Sequence, residues 1–435
     1  MAWRSRFRIA RSRGQCKDPH SAMDPILIIG AGQAGIQIAE TLRQEHYSAP
    51  IVLLGAEPHG PYNRPPLSKK WLLERHDPAQ LAIRGIEAIR RREIDLQLNC
   101  EVAAIDPAQH TVQLADGRSL RYAGLAITTG ARVRLLPGPP LRGVFGVRTL
   151  DDAQALAAAF EECVRRAAPL VVIGGGFIGL EVAATARKRG LEVIVLEGLG
   201  RLMSRVVAPI VSEAAARVHQ AHGVQLKFGV QVESLVGVDG HVTAVRTAGG
   251  LEYPAGCVVI GIGVIPDDRL AQAAGLACDR GIIVDACART SAPSIVAAGD
   301  CTARRLADGT LLRLESVHNA IEQGKSAAMA LLGRERPFTA TPWFWSDQYD
   351  VKLQMVGLSH GYDQVVTRGD VDKPAFSAFY YRGGRLIAVD SLSRIGDHMV
   401  SRKLLDNGLS PLPAQASDAA FELASLLKPQ ATSAS

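Results

Sequence analysis

The stretch PILIIGAGQAGIQIAETLRQE, residues 25–45, decides the fold, because it joins an apolar strand to a helical pattern through a glycine-rich turn. Gly30, Gly32 and Gly35 form G-x-G-x-x-G, in which the first glycine makes the turn, the second admits a pyrophosphate and the third lets the helix pack on the strand. The helix N-terminus adds partial positive charge for phosphates. The following strand ends at Glu57, which we expect to accept hydrogen bonds from a ribose.

A second copy of this pattern lies in LVVIGGGFIGLEVAATARKRG, residues 170–190. Here Gly174, Gly176 and Gly179 again stand between an apolar strand and a helical pattern. One such turn is weak evidence, but two with the same context predict two dinucleotide sites.

The acid that follows the second turn bears on cofactor choice. Glu197 ends the next strand, LEVIVLE, and a carboxylate there favours the free 2′-hydroxyl of NADH over the phosphate of NADPH. Arg201 and Arg205 are close in sequence and would weaken that preference. On the strength of Glu197 we still expect NADH to be the preferred nucleotide.

Length and charge exclude several classes of protein. With 435 residues, 47% hydrophobic and 21% charged, the chain predicts an α/β protein of more than one domain. The net charge of +6 is concentrated in residues 1–22, which hold six Lys or Arg against one Asp, so nothing else predicts nucleic-acid binding. No apolar run approaches the ~18 residues that span a membrane. The basic head resembles a transit peptide in composition, but we favour an upstream extension of a start at Met23.

The seven cysteines show no C-x-x-C pair and no spacing typical of a metal site, so we predict no bound metal. An odd number of cysteines without a secretory signal indicates a reducing, cytoplasmic location.

Several later segments carry a resemblance to a known family. They are RPPLSK, the strand-and-turn LAITTGAR, GGGFIGLEVAATA, AAGDC, ESVHNAIEQ, PWFWSDQY and MVGLSHGYD. Their order resembles the two-dinucleotide-fold pyridine nucleotide-disulfide oxidoreductase superfamily, and within it the FAD-dependent NADH:ferredoxin reductases of bacterial oxygenase systems. The resemblance implies two Rossmann-like domains, with the NAD domain inserted into the FAD domain, and a C-terminal α/β domain. We expect a basic extension at 1–23, an FAD-binding domain at 24–130 and 258–338, an NAD-binding domain at 131–257, and a C-terminal domain at 339–435 with a disordered tail.

The resemblance also implies site residues. The FAD would contact Gly30, Gly32, Ala34, Gly35, Glu57, Lys69, Val102, Arg148, Asp300 and Val317. The NAD would contact Gly174, Gly176, Phe177, Gly179, Glu181, Glu197 and Gly263. Ala56 stands where the family has an aspartate, which leaves Glu57 as the ribose acceptor.

The segment PYNRPPLSKKWL, residues 61–72, occupies the place where disulfide reductases of this architecture carry a C-x-x-x-x-C pair. Without a dithiol, electrons must leave singly from the flavin. The prolines hold Lys69 rigidly, and we expect an ion pair between Lys69 and Glu181 that orients the flavin and nicotinamide for hydride transfer. The alternative is a surface lysine that only caps the next helix.

The C-terminal region contributes Trp345, which we expect to screen the flavin where a partner docks, whereas Trp343 is expected to pack in the core. In this region GLSHG formally matches a nucleophile elbow, but its flanks predict a β-hairpin with Ser359 in the turn, which argues against a hydrolase.

The predicted function is thus an NADH:ferredoxin oxidoreductase, catalysed with Lys69, Glu181 and Trp345, that serves a cytochrome P450 or a Rieske oxygenase through a [2Fe–2S] ferredoxin, as a monomer or homodimer. Basic candidates for the docking face are Arg84, Lys325, Lys352, Arg394 and Lys403. The alternatives are a rubredoxin reductase, an NADH oxidase, or an NADH-sensing flavoprotein of the apoptosis-inducing-factor type.

Overall fold

The computed structural model describes residues 24–74, 77–306 and 308–428. The predicted basic extension and the predicted disordered tail beyond residue 428 lie outside these ranges. The helices are α1 (Gln33–Gln44), α2 (Lys70–Glu74), α3 (Ile86–Arg90), α4 (Leu150–Arg166), α5 (Phe177–Lys188), α6 (Pro209–Ala221), α7 (Arg269–Ala273), α8 (Val317–Leu331), α9 (Ile395–Asp406) and α10 (Pro413–Ser417), with short 3₁₀ turns at Pro65–Ser68, Pro78–Leu81 and Leu423–Leu427.

The strands up to the end of the second large sheet are β1 (Ile26–Ile29), β2 (Ile51–Leu54), β3 (Ile94–Gln97), β4 (Val102–Asp106), β5 (Thr111–Leu114), β6 (Ser119–Arg121), β7 (Gly124–Ile127), β8 (Ala131–Val133), β9 (Val144–Phe145), β10 (Leu170–Ile173), β11 (Val193–Glu197), β12 (Gln225–Phe228), β13 (Val232–Val238), β14 (His241–Thr247), β15 (Glu252–Pro254) and β16 (Cys257–Ile260). The later strands are β17 (Val264–Pro266), β18 (Ile282–Val284), β19 (Ile295–Ala297), β20 (Thr302–Arg305), β21 (Leu311–Leu312), β22 (Trp343–Gln348), β23 (Val351–Gly357), β24 (Gln364–Asp370), β25 (Ala375–Arg382) and β26 (Arg385–Leu392).

The first large sheet is parallel and has the strand order β19-β7-β1-β2-β3. All four residues of β1 are buried, as expected for a parallel strand that is covered on both faces. Strand β19 comes from a part of the chain that follows the second sheet in sequence. The chain therefore leaves the first sheet after β7 and returns to it, which agrees with the predicted insertion.

The second large sheet is also parallel, in the order β12-β11-β10-β16-β9. Strand β16 pairs with β10 on one side and β9 on the other, so its backbone ladder belongs to this sheet as far as Ile260. The boundary that we predicted after residue 257 therefore falls inside this strand. Helix α4 leads into the sheet and begins at a capping box formed by Thr149 and Asp152.

The third large sheet is antiparallel and has the order β22-β23-β26-β25-β24. The segment SAFYYRGGRLIAVDS, with two adjacent glycines at its centre, forms the hairpin of β25 and β26. The hairpin predicted around Ser359 is wrong, because β23 pairs with β22 and β26 and has no free edge for β24. Strand β24 lies at the far edge of the sheet, and the Ser359 hydroxyl donates to the backbone oxygen of Val206 over 3.2 Å.

The three structural units, each built around one of the large sheets, meet where the turn Pro65–Ser68, helix α5 and strand β22 pack together. In the described ranges, no helix combines the length and apolar character required to cross a lipid bilayer.

Candidate active site

A cavity of about 650 Å³ lies at the carboxyl ends of β1, β2 and β7 and reaches to α5 and β22. Its lining includes most of the residues predicted for FAD and for catalysis: Gly30, Gly32, Ala34, Glu57, Lys69, Val102, Arg148, Glu181, Asp300, Val317 and Trp345. Phe177, which was predicted for NAD, also lines it. Gly35 is buried behind the turn and does not line the cavity. The structure therefore brings together residues from all three units in one place.

The first glycine turn has the shape that a pyrophosphate requires. Gly30 has φ +109°, and a methyl group there would lie 2.3 Å from the backbone oxygen of Thr128. A methyl group on Gly35 would lie 2.0 Å from the backbone oxygen of Gly30. A methyl group on Gly32, in contrast, would have no protein atom within 4 Å. The middle glycine thus faces open space at the start of α1, where an anion can approach the backbone amides.

The second turn repeats this geometry outside that cavity. A methyl group on Gly174 would lie 2.5 Å from the oxygen of Gly261, and one on Gly179 would lie 2.4 Å from the oxygen of Gly174. A methyl group on Gly176 would meet its nearest protein atom only at 3.8 Å. Gly263, at φ +105°, also faces open space.

The predicted ribose acceptor of the second site is held by the backbone. Glu197 accepts hydrogen bonds from the amides of Gly175 (2.6 Å) and Leu199 (2.8 Å). Each carboxylate oxygen keeps a second lone pair. Arg201 donates to the backbone oxygens of Ser204 and Val207, both over 2.8 Å, so its guanidinium is engaged within its own loop.

Two ion pairs line the cavity near the first glycine turn. Arg148 contacts Asp300 over 3.0 Å, which joins two residues that were predicted separately. Arg64, which sequence reasoning missed, donates to Glu57 over 2.6 Å and to the backbone oxygen of Arg148 over 2.7 Å. Tyr62 also donates to Glu57 over 2.6 Å. Glu57 therefore orients Arg64, and its contact with a ribose stays a prediction. The signal for Arg64 was its place in the RPPLSK segment.

Lys69 and Glu181 form the predicted contact, with 3.1 Å between Nζ and Oε1. Their side chains are only 14% and 6% exposed. A second carboxylate, Asp347, lies 3.6 Å from Lys69 and is more exposed. Lys69 follows the turn Pro65–Ser68, whose prolines fix the backbone that carries it.

The carboxylate of Glu181 is surrounded by donors. The hydroxyls of Ser68 and Ser346 each donate to it over 2.6 Å, one to each oxygen. Burial raises the pKa of Glu181, and the charge of Lys69 and the hydrogen bonds of both serines offset part of that rise. Ser346 was missed because a serine in a strand carries no sequence signal of its own.

Aromatic rings form the wall that faces these charges. The Nζ of Lys69 lies 5.6 Å from the ring centroid of Trp345, within cation–π range. Trp343 lies on the same side of β22 as Trp345, with 5.5 Å between the ring centroids, but it does not line the cavity. Phe344, another missed residue, lines the cavity and packs against Phe177 with 4.8 Å between ring centroids.

These features fit two dinucleotides. Each glycine turn offers amides with space above its middle glycine, and the buried cation and aromatic wall suit a planar ring that gains charge on reduction.

Two known protein families match parts of this sequence. Residues 24–324 match the family described as pyridine nucleotide-disulphide oxidoreductase, and residues 343–427 match the reductase C-terminal family.

The chain belongs to the pyridine nucleotide-disulphide oxidoreductase family. It is an oxidoreductase, and enzymes of this family use FAD and NAD(P)H. Rhodocoxin reductase from Rhodococcus erythropolis is 42% identical over 401 residues, covering 92% of this chain and 93% of the relative.

Two solved structures are similar along nearly their whole length. The ferredoxin reductase for the CYP199A2 system from Rhodopseudomonas palustris has a TM-score of 0.89 and 42% identity, covering 92% of this chain and 99% of that one. A reductase in the covalent putidaredoxin reductase–putidaredoxin complex has a TM-score of 0.88 and 38% identity, covering 93% and 98%.

Proposed function

We propose that the chain is an NADH-dependent, FAD-containing ferredoxin reductase that delivers single electrons to a [2Fe–2S] ferredoxin of a cytochrome P450 or Rieske oxygenase system. The names of the relatives above support the ferredoxin as partner, since one is a ferredoxin reductase and another is bound to putidaredoxin. We further propose a cytoplasmic location, because the six cysteines in the described ranges are free thiols.

The observation that carries this proposal is the Lys69–Glu181 pair beside Trp345 at the redox end of the cavity, where disulfide reductases would hold two thiols. Cys100 does line the cavity, but it lies beyond β3 next to the carboxyl end of β2, and its sulfur contacts Arg118 over 3.6 Å. One thiol in that place cannot form the dithiol that a disulfide reductase uses.

Residues of this chain would divide the work of holding the cofactors. Bound FAD would supply the chemistry that accepts two electrons from NADH and releases them one at a time. Gly32 and Ala34 would present backbone to its pyrophosphate, and Asp300, held by Arg148, would accept a hydrogen bond from its sugar chain. Lys69 would place positive charge beside the ring as the ring gains negative charge. Glu181 would keep Lys69 in that position.

A groove on the other side of Trp345 is where we expect the electron acceptor to dock and receive electrons. It has a volume of about 500 Å³ and shares Lys69, Val317 and Trp345 with the cavity. Lys70 and Lys188 also line it, as do the carboxylates of Glu74 and Asp347, so the groove carries charges of both signs.

Some cations that we predicted for the docking face are already paired. Arg84 contacts Glu40 over 2.7 Å, and Lys325 contacts Glu322 over 2.7 Å. Arg394 contacts Asp397 over 3.0 Å. These three charges therefore add less to the field of the surface than their number implies, and the docking role stays a prediction.

The test is NADH-driven reduction of cytochrome c with and without a panel of purified [2Fe–2S] ferredoxins and a rubredoxin. We expect at least one ferredoxin to stimulate the rate more than tenfold. Rapid peroxide formation that no ferredoxin suppresses would instead support an NADH oxidase, and stimulation by rubredoxin alone would support a rubredoxin reductase. A long-lived reduced complex with NADH that ferredoxins do not discharge would support the sensor alternative.

A further inference from the structure

A chain of buried hydrogen bonds leads away from Glu181 into the interior. Ser346 donates to Glu181 and accepts from the side-chain amide of Gln348 over 3.2 Å. The other atom of that amide, Oε1, lies 2.9 Å from Nε2 of His219 on helix α6. All four side chains are at least nine-tenths buried.

The direction of the chain follows from the donors available. A serine hydroxyl has one hydrogen, and Ser346 gives it to the carboxylate, so Ser346 must accept from the nitrogen of Gln348. The oxygen of Gln348 then faces His219, whose Nε2 must carry the proton. The Nδ1 atom of His219 has no hydrogen-bond partner among the described residues, which agrees with an unprotonated nitrogen there. Burial lowers the pKa of His219 to about 4, so the ring is neutral at neutral pH.

This chain of hydrogen bonds also connects two structural units. Glu181 and His219 lie on helices α5 and α6 beside the second sheet, whereas Ser346 and Gln348 lie on β22 of the third sheet. Gln348 and Ser346 face the same side of the strand because they are two residues apart. The third sheet thereby holds one carboxylate oxygen of Glu181, and Ser68 holds the other.

We propose that Ser346, Gln348 and His219 are positioning residues that fix the carboxylate of Glu181 for its contact with Lys69. His219 fixes the orientation of the Gln348 amide, the amide fixes the hydroxyl of Ser346, and the hydroxyl fixes Glu181. If the amide turned over, Ser346 would donate to Gln348 and Glu181 would lose one of its two serine donors. This inference rests on the proposed role of the Lys69–Glu181 pair.

The first experiment follows the bleaching of bound flavin by NADH under anaerobic single-turnover conditions. Ser346→Ala should slow bleaching about tenfold, the size expected for one hydrogen bond to a charged group. The apparent affinity for NADH should stay within about twofold. Ser346→Thr, which keeps the hydroxyl, should recover most of the rate. Ser391→Ala is the matched control, because Ser391 is equally buried on β26 of the same sheet and bonds to Ser377.

Equal rates for Ser346→Ala and Ser391→Ala would overturn the proposal. Bleaching requires no ferredoxin, so the two proposals fail separately. Slow bleaching in Ser346→Ala without stimulation by any ferredoxin would support the positioning chain and remove the ferredoxin function. Normal ferredoxin stimulation with equal bleaching rates would do the reverse.

The second experiment does not depend on activity. Long-range ¹H–¹⁵N NMR, with His219→Phe for assignment, should show His219 in its neutral Nε2–H form without titration near pH 6.5. Gln348→Met should release this preference and give a mixture of tautomers. An Nδ1–H tautomer of His219 in the unaltered protein, or protonation of His219 near pH 6.5, would contradict the proposed chain of hydrogen bonds.

Discussion

Replacing Lys69 with Met tests whether the ion pair carries a buried charge. The two side chains are 14% and 6% exposed and 3.1 Å apart, so removal of Lys69 leaves Glu181 with an uncompensated charge. Breaking a buried pair costs about 3–5 kcal/mol. We expect about 3 kcal/mol at pH 7, the lower end, because Ser68 and Ser346 still donate to the carboxylate. Asp347 is 38% exposed and changes this value little.

The loss should depend on pH with a definite sign. Burial already raises the pKa of Glu181 above its usual 4.5, and loss of Lys69 raises it further. A carboxyl with a raised folded-state pKa stabilises the protein at low pH, and that contribution is lost as the pH rises through the folded-state pKa. One proton changes the free energy of unfolding by at most about 1.4 kcal/mol per pH unit, so about 3 kcal/mol corresponds to about two units. The variant should therefore approach the unaltered protein at low pH and diverge from it over about two units above the unaltered pKa.

The assay is urea unfolding at a series of pH values with saturating FAD. Lys70→Met is the control, since it removes the neighbouring exposed lysine without touching Glu181. The double variant Lys69→Met/Glu181→Leu should regain most of the loss, because no charge then remains buried. A deficit in Lys69→Met that is the same at every pH, or that matches Lys70→Met, would refute the reasoning.

Three further predictions concern the nucleotide sites. Gly32→Ala should keep the far-ultraviolet circular dichroism and melting temperature but lose FAD affinity at least tenfold by fluorescence titration, whereas Gly35→Ala should fail to fold because its methyl group would lie 2.0 Å from a backbone oxygen. Glu197→Ser should reduce the ratio of kcat/KM for NADH over NADPH about tenfold, or about 1.4 kcal/mol, while the exposed control Glu192→Ser leaves it unchanged. Trp345→Ala should leave anaerobic flavin bleaching by NADH within about threefold of normal but increase peroxide formation and slow ferredoxin reduction, and unchanged partitioning between oxygen and ferredoxin would contradict a screening role.

The glycine turns could be predicted because their evidence is local. Strand, turn and helix lie within about twenty residues, and steric contact between neighbouring backbone atoms dictates the glycines. The structure shows those contacts at Gly30 and Gly35, with 2.3 Å and 2.0 Å to the nearest backbone oxygens for an added methyl group. The same is true of the β25–β26 hairpin, whose turn contains two adjacent glycines at positive φ.

Sheet order could not be predicted in the same way. The segments on either side of Ser359 have the alternation and turn residues of a hairpin, yet β26 takes the edge of β23 that such a hairpin requires. Turn residues predict that the chain reverses direction, but they do not predict which strand the following segment pairs with. The extension of the second sheet to Ile260 has the same cause, since the pairing of β16 with β10 and β9 depends on strands that are distant in sequence.

The surroundings of Glu181 show why the finer parts of the site escape sequence reasoning. Its serine donors stand 113 and 165 residues away along the chain, in two different units. Both lie in segments that carry the family resemblance, RPPLSK and PWFWSDQY, but neither segment indicates that its serine contacts Glu181. Lys69 was identified only because prolines and a family resemblance drew attention to it. A carboxylate that must stay charged while buried needs every donor that the fold can supply, and these donors come from wherever the packed units meet. It follows that substitutions in β22, far in sequence from either glycine turn, should alter the chemistry at the lysine as strongly as many substitutions within the turns.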